Sequence, residues 1–498
     1  MKLRTGFVCM VVLFAMAASV GIAAQDQSAQ FAVGTVFEDA NRNGTLDPGE
    51  KGIGGVRVSN GRTSVKTSYS GRYRIAVNND TIIFVIKPRN WQTPVDKNNV
   101  PRFYYIHKPA GSPKSKVAGV APTGPLPASV DFPLYRHPEP DQFRAVFLGD
   151  TQVASEEEIG YLAHDIIEEL VGTDAGFAVS LGDIVFDRLN LYEPLVGVMG
   201  RMGIGCHYVK GNHDTNYDNG PGQVLADETF ERVFGPSYYS YDYGPVHFIA
   251  LNNPYFLPGG QYEGRLDPEQ MEFLRDDLAS IPKNQLVVLM MHIPINEMKD
   301  KDHIYELLQT HPNLFAIAAH WHTQRHFFLG KADGWNGANP LHLLVNVTSC
   351  GNWWGGKKDE LGIPDATMAD GVPNGYSIIS FDGPRYSIRY KAARRPDNYQ
   401  MDIKAPDVVI DNGKITTVSV NVFGGSELST VDMQVHATYQ RMTPDPKTPH
   451  TWYADLPQPE PGTYLIQVQH RDMFGHLDEG YRVITIEPYR PGAGQAGR

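Results

Sequence analysis

Seven side chains able to hold metal ions punctuate the middle of the chain. They are Asp150 and Gln152 in FLGDTQ, Asp183 in SLGDIVFD, Asn212 in VKGNHD, His292 in MMHIP, and His320 and His322 in AAHWH. Each follows a run of apolar, β-branched or small residues, the composition of a buried strand, so each is expected where a strand ends. In an open α/β sheet, ligands bind in the crevice outside the carboxyl ends of the strands. Carboxylates, amide oxygens and imidazoles gathered at one such rim are what a pair of divalent cations requires. Taken singly, an Asp or Asn after a strand is ordinarily the cap of the next helix. The ordered set is what points to a metal centre.

The elements that must position these residues are legible as texture. From Phe143 to about Asp382, strand runs such as 144–148 alternate with helical windows at 156–170 and 268–278. Ile159, Leu162, Ile166, Ile167 and Leu170 recur at helical spacing. Asp150, Asp183 and Asn212 are each separated by about the length of a βαβ unit, so three successive strands should deliver them side by side. His292 ends the run 286–291, and His320 and His322 end 314–319. The single residue between the last two lets both side chains point the same way from an extended strand. Residues 30–137 read instead as short half-buried strands (55–58, 71–75 and 81–86) between Asn and Gly turns, which predicts a small β-sandwich closed by the proline-rich stretch 122–140. Beyond Pro384, alternation at 416–422, 432–439 and 463–469 predicts a second β-sandwich, over 384–490.

A length of 498 residues suits about three domains, and 41% apolar with 20% charged residues is a globular composition. Residues 1–24 read as a secretory signal peptide, with Lys2 and Arg4 before the apolar run 7–18 and small residues before Gln25. Secretion or a periplasmic location follows, with no membrane span in the mature protein. Removal of the leader takes away Cys9 and two bases, so the formal net charge moves from −12 to −14. Such an acidic body argues against a nucleic-acid polymer as partner, since binding one needs a basic footprint. It leaves small phosphoesters open, because metal ions supply local positive charge. Cys206 and Cys350 remain, either paired or as buried free thiols. In the first domain Asp39, Asn41, Asn43, Thr45, Asp47 and Glu50 fit the spacing of a calcium loop, with Gly44 at the sharp turn. Its flanks are strands, similar to calcium-bearing repeats of bacterial surface adhesins; an Asn/Gly turn without an ion is the other reading.

The ordered ligand set resembles that of the calcineurin-like metallophosphoesterases. Their pattern of D-x-H, GDxxD, GNH with an acid, a lone His and GHxH falls on Asp150-x-Gln152, Gly182-Asp183-x-x-Asp187, Gly211-Asn212-His213-Asp214, His292 and Ala319-His320-x-His322. The resemblance implies a multidomain α+β chain. Its centre would be a four-layer α/β/β/α catalytic domain, 143–383, flanked by the two β-sandwiches, an arrangement similar to a secreted bacterial branch of the family. It implies two metals: Asp150, Gln152, Asp183 and His322 around the first, and Asp183, Asn212, His292 and His320 around the second. Asp187 would be a supporting acid. His213 would act on the leaving group, held by Asp214. Gln152 replaces the usual His, and its harder amide oxygen leans the site to manganese or iron over zinc. Two cations about 3.5–4 Å apart bind phosphoryl oxygens and generate a hydroxide nucleophile at neutral pH.

What lies beyond the metals is carried by a long irregular segment, 349–376, with Trp353 and Trp354 among glycines. Long structureless loops in a compact domain are commonly functional. Either Trp stacks on a sugar or base of the substrate, or the pair plugs a domain interface. Monoesters and diesters use the same centre and stay undivided. The competing class is a non-catalytic cell-surface or carbohydrate-binding protein, whose mark would be a broken ligand set.

Overall fold

The parallel strands Phe177–Ser180, Leu286–Met290 and Leu314–Ala318 are apolar along nearly their whole length because both of their faces are covered. The computed structural model describes residues 30–219, 225–258, 260–448, 450–457 and 460–489. The leader expected at 1–24 lies outside them. A five-stranded sheet runs in the order Cys206–Tyr208, Phe177–Ser180, Gln142–Leu148, Gly375–Asp382, Arg385–Ala392. Its first three strands are parallel and its last two antiparallel. A six-stranded sheet runs Tyr239–Tyr243, Val246–Ala250, Leu286–Met290, Leu314–Ala318, Leu341–Val345, Arg325–Leu329, with the four central strands parallel. Phe147 and Val179 of the first sheet share one core with Phe248, Leu289 and Ile317 of the second. Val146, Leu148 and Ala178 pack away from that core, against Ile159, Leu162, Tyr192 and Leu195 of the helical segments.

The helical window at 156–170 is continuous but not uniform. Ser155 caps its start, accepting from the Glu158 N–H. A wider π turn interrupts it at Ala163–Ile167. Such turns shift side chains off the regular helical face and recur at functional sites. Here the turn accompanies a buried acid, Asp165, whose Oδ2 accepts from Trp354 Nε1 at 2.8 Å and Asn374 Nδ2 at 3.1 Å. Arg394 Nε pairs with the other oxygen at 2.8 Å and also reaches Asp359. The long 349–376 segment is thereby pinned to the helix behind the sheet.

Two four-stranded sheets precede the centre, and Ala32, Val36, Ile75 and Phe132 of one pack with Val58, Ile83 and Val85 of the other. The expectation of a half-buried strand at 81–86 needs correction. Ile83 and Val85 face that first core, while Phe84 and Ile86 enter the central one. With a core on each side, alternation disappears. At the far end, a four- and a five-stranded sheet meet through Val418, Val420 and Trp452 against Met433, Ile466 and Val468. The single strand expected at 432–439 is instead a hairpin, Thr430–Val435 with Thr438–Arg441, turned at His436 with φ 52°. Cys206 and Cys350 are both buried free thiols. No helix among the described residues is long and apolar enough to cross a membrane.

A buried ionic cluster fastens the first sheets to the centre. Arg57 pairs with Asp277, whose Oδ2 lies 2.9 Å from His247 Nε2; His247 Nδ1 is 2.7 Å from Asp242 Oδ1. Burial works against a charged His247, but Asp277 and Asp242 lift its pKa to about 9. Burial works against a charged Asp277, but His247 and Arg57 hold it down at about 2. The histidine's contribution is therefore whole below its ordinary pKa of about 6.5 and is lost as pH rises through about 9. The aspartate's contribution disappears only as pH falls toward about 2. Replacing His247 by Asn is expected to cost about 3 kcal/mol at pH 6 and clearly less at pH 9.5, read as melting midpoints. Equal losses at both pH values would contradict the assignment.

Candidate metal centre

Five parallel strands from the two facing sheets end at one rim, and the predicted donors follow them within a few residues. Asp150 comes after Gln142–Leu148, Asp183 after Phe177–Ser180, and Asn212 after Cys206–Tyr208. His292 comes after Leu286–Met290, and His320 and His322 after Leu314–Ala318. The turns are sharp enough to force positive φ: 20° at Asp150, 34° at Gln152, 45° at Asp183, 73° at His320 and 52° at His322. Asp187 and Trp353, both at 57°, bring the rim to seven of the twelve non-glycine positive-φ residues described. Each costs about 1–3 kcal/mol and persists only where the surroundings over-determine it, as at functional sites. Close approach also requires glycine at two positions. A Cβ on Gly211 would overlap the backbone nitrogen and carboxylate of Asp183, and one on Gly182 would sit 2.7 Å from His292 Nδ1.

The chemistry of the rim is set by acceptors that face one another. His292 is fully buried, and its Nδ1 meets the Leu181 carbonyl at 2.9 Å. Donation to that carbonyl turns the Nε2 lone pair toward Asn212 Oδ1 at 3.0 Å, Asp183 Oδ2 at 3.2 Å and His320 Nδ1 at 3.2 Å. Asp150 Oδ1 is buried without a hydrogen-bond partner, 3.7 Å from His292 Nδ1. Lone pairs packed this way repel unless positive charge stands among them. Where no metal is bound, a proton on His292 meets the same demand for positive charge. Burial disfavours a charged His292, yet Asp183 draws its pKa up to about 9. Burial lifts Asp150 to about 6, whereas Asp183, against its own burial, is held low by His292. Burial and then the neighbouring His292 push His320 down to about 3, so it offers a lone pair and not a proton. Asp183, His292 and His320 together form a compact group able to hold a cation, each offering an atom within 4.8 Å of the others. Mixed oxygen and imidazole donors fit manganese, iron or zinc. The outer contacts fit as well: the Leu181 carbonyl fixes His292, and the Gly351 carbonyl, 2.6 Å from His322 Nδ1, leaves that residue's Nε2 for a metal.

The remaining predicted residues divide. Gln152 lies at the centre, but its Nε2 donates to Asp183 Oδ2 at 3.1 Å while its Oε1 faces Cys350 Sγ at 3.9 Å. A half-turn of the amide would present the oxygen instead. His213 stands beside the centre, its Nε2 4.0 Å from Asp183 Oδ2. Its partner is not Asp214. Asp187 Oδ1 lies 2.9 Å from His213 Nδ1, and despite burial this bond raises the His213 pKa. Asp214 points away and is fully buried, accepting from the N–H groups of Gly211, Ile184 and Val185 and from the Tyr192 hydroxyl. It ties the turn carrying Gly211 and Asn212 to the turn carrying Asp183 and Ile184, where it is committed to backbone N–H groups and not to His213. Adjacent residues in a tight turn point in different directions, so closeness to His213 in sequence was a poor guide.

Trp353 and Trp354 separate in the same way. Trp353 is half-exposed and packs 4.9 Å from the His322 ring. Contrary to the expectation that it meets substrate, Trp354 is buried against Tyr161 with its N–H committed to Asp165. Sequence reading missed Phe186, which stacks on His213 at 4.5 Å, and Asn253, which accepts from the His292 and Ile293 N–H groups. Neither carries a periodic or motif signal. In the first sheets, Asp39 accepts from the Asn43 and Gly44 N–H groups and Glu50 from those of Ala40 and Asp47. Asn41 and Asn43 donate to Asp47 Oδ2 at 2.8 and 2.7 Å, and the Thr45 N–H reaches Asn43 Oδ1. The six predicted calcium residues do close one turn, with both amides presenting nitrogen to Asp47.

Three family models match the chain. One described as Calcineurin-like phosphoesterase covers residues 143–324, one for the N terminal of Calcineurin-like phosphoesterase covers 40–118, and one for its C terminal covers 344–444. A curated relative from Arabidopsis thaliana, "Probable inactive purple acid phosphatase 9", is 30% identical over 151 residues, which is 26% of this chain and 22% of that protein. The match thus spans about a fifth of the relative's length. Among solved structures, Vps29 of Chaetomium thermophilum is 9% identical, covers 69% of this chain and 98% of its own, and has a TM-score of 0.20. CopC from Methylosinus trichosporium OB3b is 22% identical, covers 18% of this chain and 92% of its own, and has a TM-score of 0.15. Likeness at these scores is too slight to define a fold.

The two tryptophans give a direct test of the site's walls. Trp354→Ala should lower stability by about 3 kcal/mol through the cavity and the orphaned Asp165. Trp353→Ala should stay within about 0.5 kcal/mol of the native chain. Denaturant midpoints measure both, and a reversed order would refute the division.

Proposed function

We propose that this chain, which belongs to the calcineurin-like phosphoesterases, hydrolyses small phosphoesters with two divalent metal ions. The observation that carries this reading is the convergence of His292 Nε2, His320 Nδ1, Asp183 Oδ2 and Asn212 Oδ1, acceptors that are stable together only around positive charge. When bound, such ions supply Lewis acidity toward phosphoryl oxygens and lower the pKa of water at neutral pH. Asp150, Gln152, Asp183 and His322 would hold one ion; Asp183, Asn212, His292 and His320 would hold the other. The Gln152 amide oxygen favours manganese, with iron and zinc as alternatives.

The protein's own part is positioning and proton delivery. Asp187 fixes His213 through Nδ1, and Phe186 supports the ring from below, so Nε2 is turned to the centre. From there it gives its proton to the oxygen of the departing group, which otherwise leaves as a poor alkoxide. The buried rim excludes bulk water from every donor except the half-open side near His320 and His213. Monoesters and diesters both fit this chemistry. A purely binding role would be favoured by missing donors, and all seven positions retain one.

The same reading takes residues 143–383 as the four-layer catalytic domain, with 30–137 and 384–490 as β-sandwich domains. It places the mature protein in the periplasm or outside the cell. It assigns a structural calcium ion to the Asp39–Glu50 turn, where rotation of the Asn41 and Asn43 amides would add two oxygens to those of Asp39, Thr45, Asp47 and Glu50.

Two outcomes are expected. His213→Ala should reduce turnover of a phosphoester by about 10²-fold or more while metal content per chain stays at the native level; loss of metal in that variant would reassign the residue. Millimolar calcium should raise the melting midpoint of the full chain, and Glu50→Gln should abolish the rise. A midpoint indifferent to calcium would remove the ion from that turn.

A further inference from the structure

The donors at the rim are bordered by aromatic rings from four separate segments. On one side Tyr217 donates its hydroxyl proton to the Asn212 carbonyl at 2.8 Å, and Tyr262 stands edge-on to His320 at 6.1 Å. Phe256 joins them, 5.6 Å from Tyr217 and 5.9 Å from Tyr262. A second bank borders His213 and His322. Phe186 stacks on His213, and Trp353 packs on the His322 ring and edge-on to Phe186 at 5.6 Å.

Three of these rings are unusually open for their size: Tyr217 is 46% exposed, and Tyr262 and Trp353 are each 38% exposed. Their neighbours show that burial was available, since Phe256 and Trp354 from the same segments are almost wholly covered. Trp353 is also held at φ 57°, a conformation its bulk disfavours. An open indole kept in a strained conformation against a metal-ligand ring gains nothing for the core. Its π face gains when a flat ring lies on it.

We propose that the centre selects phosphoesters whose leaving group carries a planar aromatic ring, with Trp353 as the stacking face. The inference rests on the phosphoesterase reading above and adds the substrate class. His213, which protonates the leaving oxygen, is in contact with Phe186, and Phe186 is in contact with Trp353. The leaving group therefore departs along the second bank, where a ring attached to its oxygen meets the indole. Tyr217 and Tyr262 border the side of Asn212 and His320 and limit how the ester can tilt. A nucleoside or an aryl group meets this requirement; a linear polyol or an alkyl chain does not.

The test uses phosphonates, whose carbon–phosphorus bond is not an ester and is not hydrolysed. Calorimetric titration of the metal-loaded full chain compares methylphosphonate, benzylphosphonate and cyclohexylmethylphosphonate. The last two are similar in size, and only one is planar. Benzylphosphonate should bind about five- to tenfold tighter than its cyclohexyl counterpart. Trp353→Ala should bring the two within about twofold, Trp353→Phe should keep most of the preference, and Tyr262→Ala should reduce it. Equal binding of the two ring ligands by the native chain, or a preference that survives Trp353→Ala, would overturn the inference. If methylphosphonate binds and the aromatic ring adds nothing, the substrate class fails while the phosphoesterase reading stands. If no phosphonate binds to the loaded chain, both fall.

Discussion

The mutual repulsion of buried acceptors at the ends of five strands is the constraint on which the rest depends. Asp183, Asn212, His292 and His320 point at one another across about 3 Å, and water is excluded from most of them. Such an arrangement is not stable for its own sake; a folding core would sooner bury hydrocarbon. It survives because the surroundings hold it from several sides. The Leu181 and Gly351 carbonyls orient two imidazoles, and the Asp214 carboxylate ties the Gly211 turn to the Ile184 turn. The apolar core shared by the two facing sheets offsets the strain of these turns.

The flanking sheets are joined to that centre chemically as well as by chain connection. Strand Thr81–Ile86 has one face in each of two cores, and Arg57 completes a charge cluster with Asp277 and His247. On the other side, Asp370 in the long loop accepts from the Gln324 N–H and pairs with His450 of the last sheets. The loop that presents Trp353 is therefore braced by the helix through Asp165 and by the C-terminal sheets through His450. A precise wall beside the metal centre follows from supports on both flanks.

Much of this was legible in the sequence because strand ends announce themselves. An apolar run followed by Asp, Asn or His fixes where a donor emerges, and the parallel order of the strands gathers them. What escaped were directions within turns and the faces of irregular segments. Asp187 and Asp214 are both acids near His213, and only the turn geometry decides that the first holds it and the second clamps the backbone. Trp353 and Trp354 differ by one position in a loop without periodicity, so nothing marked which would be buried. The π turn at Ala163–Ile167 keeps an ordinary helical pattern of Leu and Ile, yet it accompanies the buried acid that receives Trp354. Residues 81–86 could not show in isolation that a second core would cover their other face.

Anomalous diffraction from crystals of the full chain grown with manganese would test the central claim most directly. Two strong peaks are predicted at the rim, one among Asp183, Asn212, His292 and His320, and one among Asp150, Gln152, Asp183 and His322, with Asp183 between them. A rim with no anomalous peak at saturating manganese, with His292 instead keeping a proton between Asp183 and Asn212, would contradict the account.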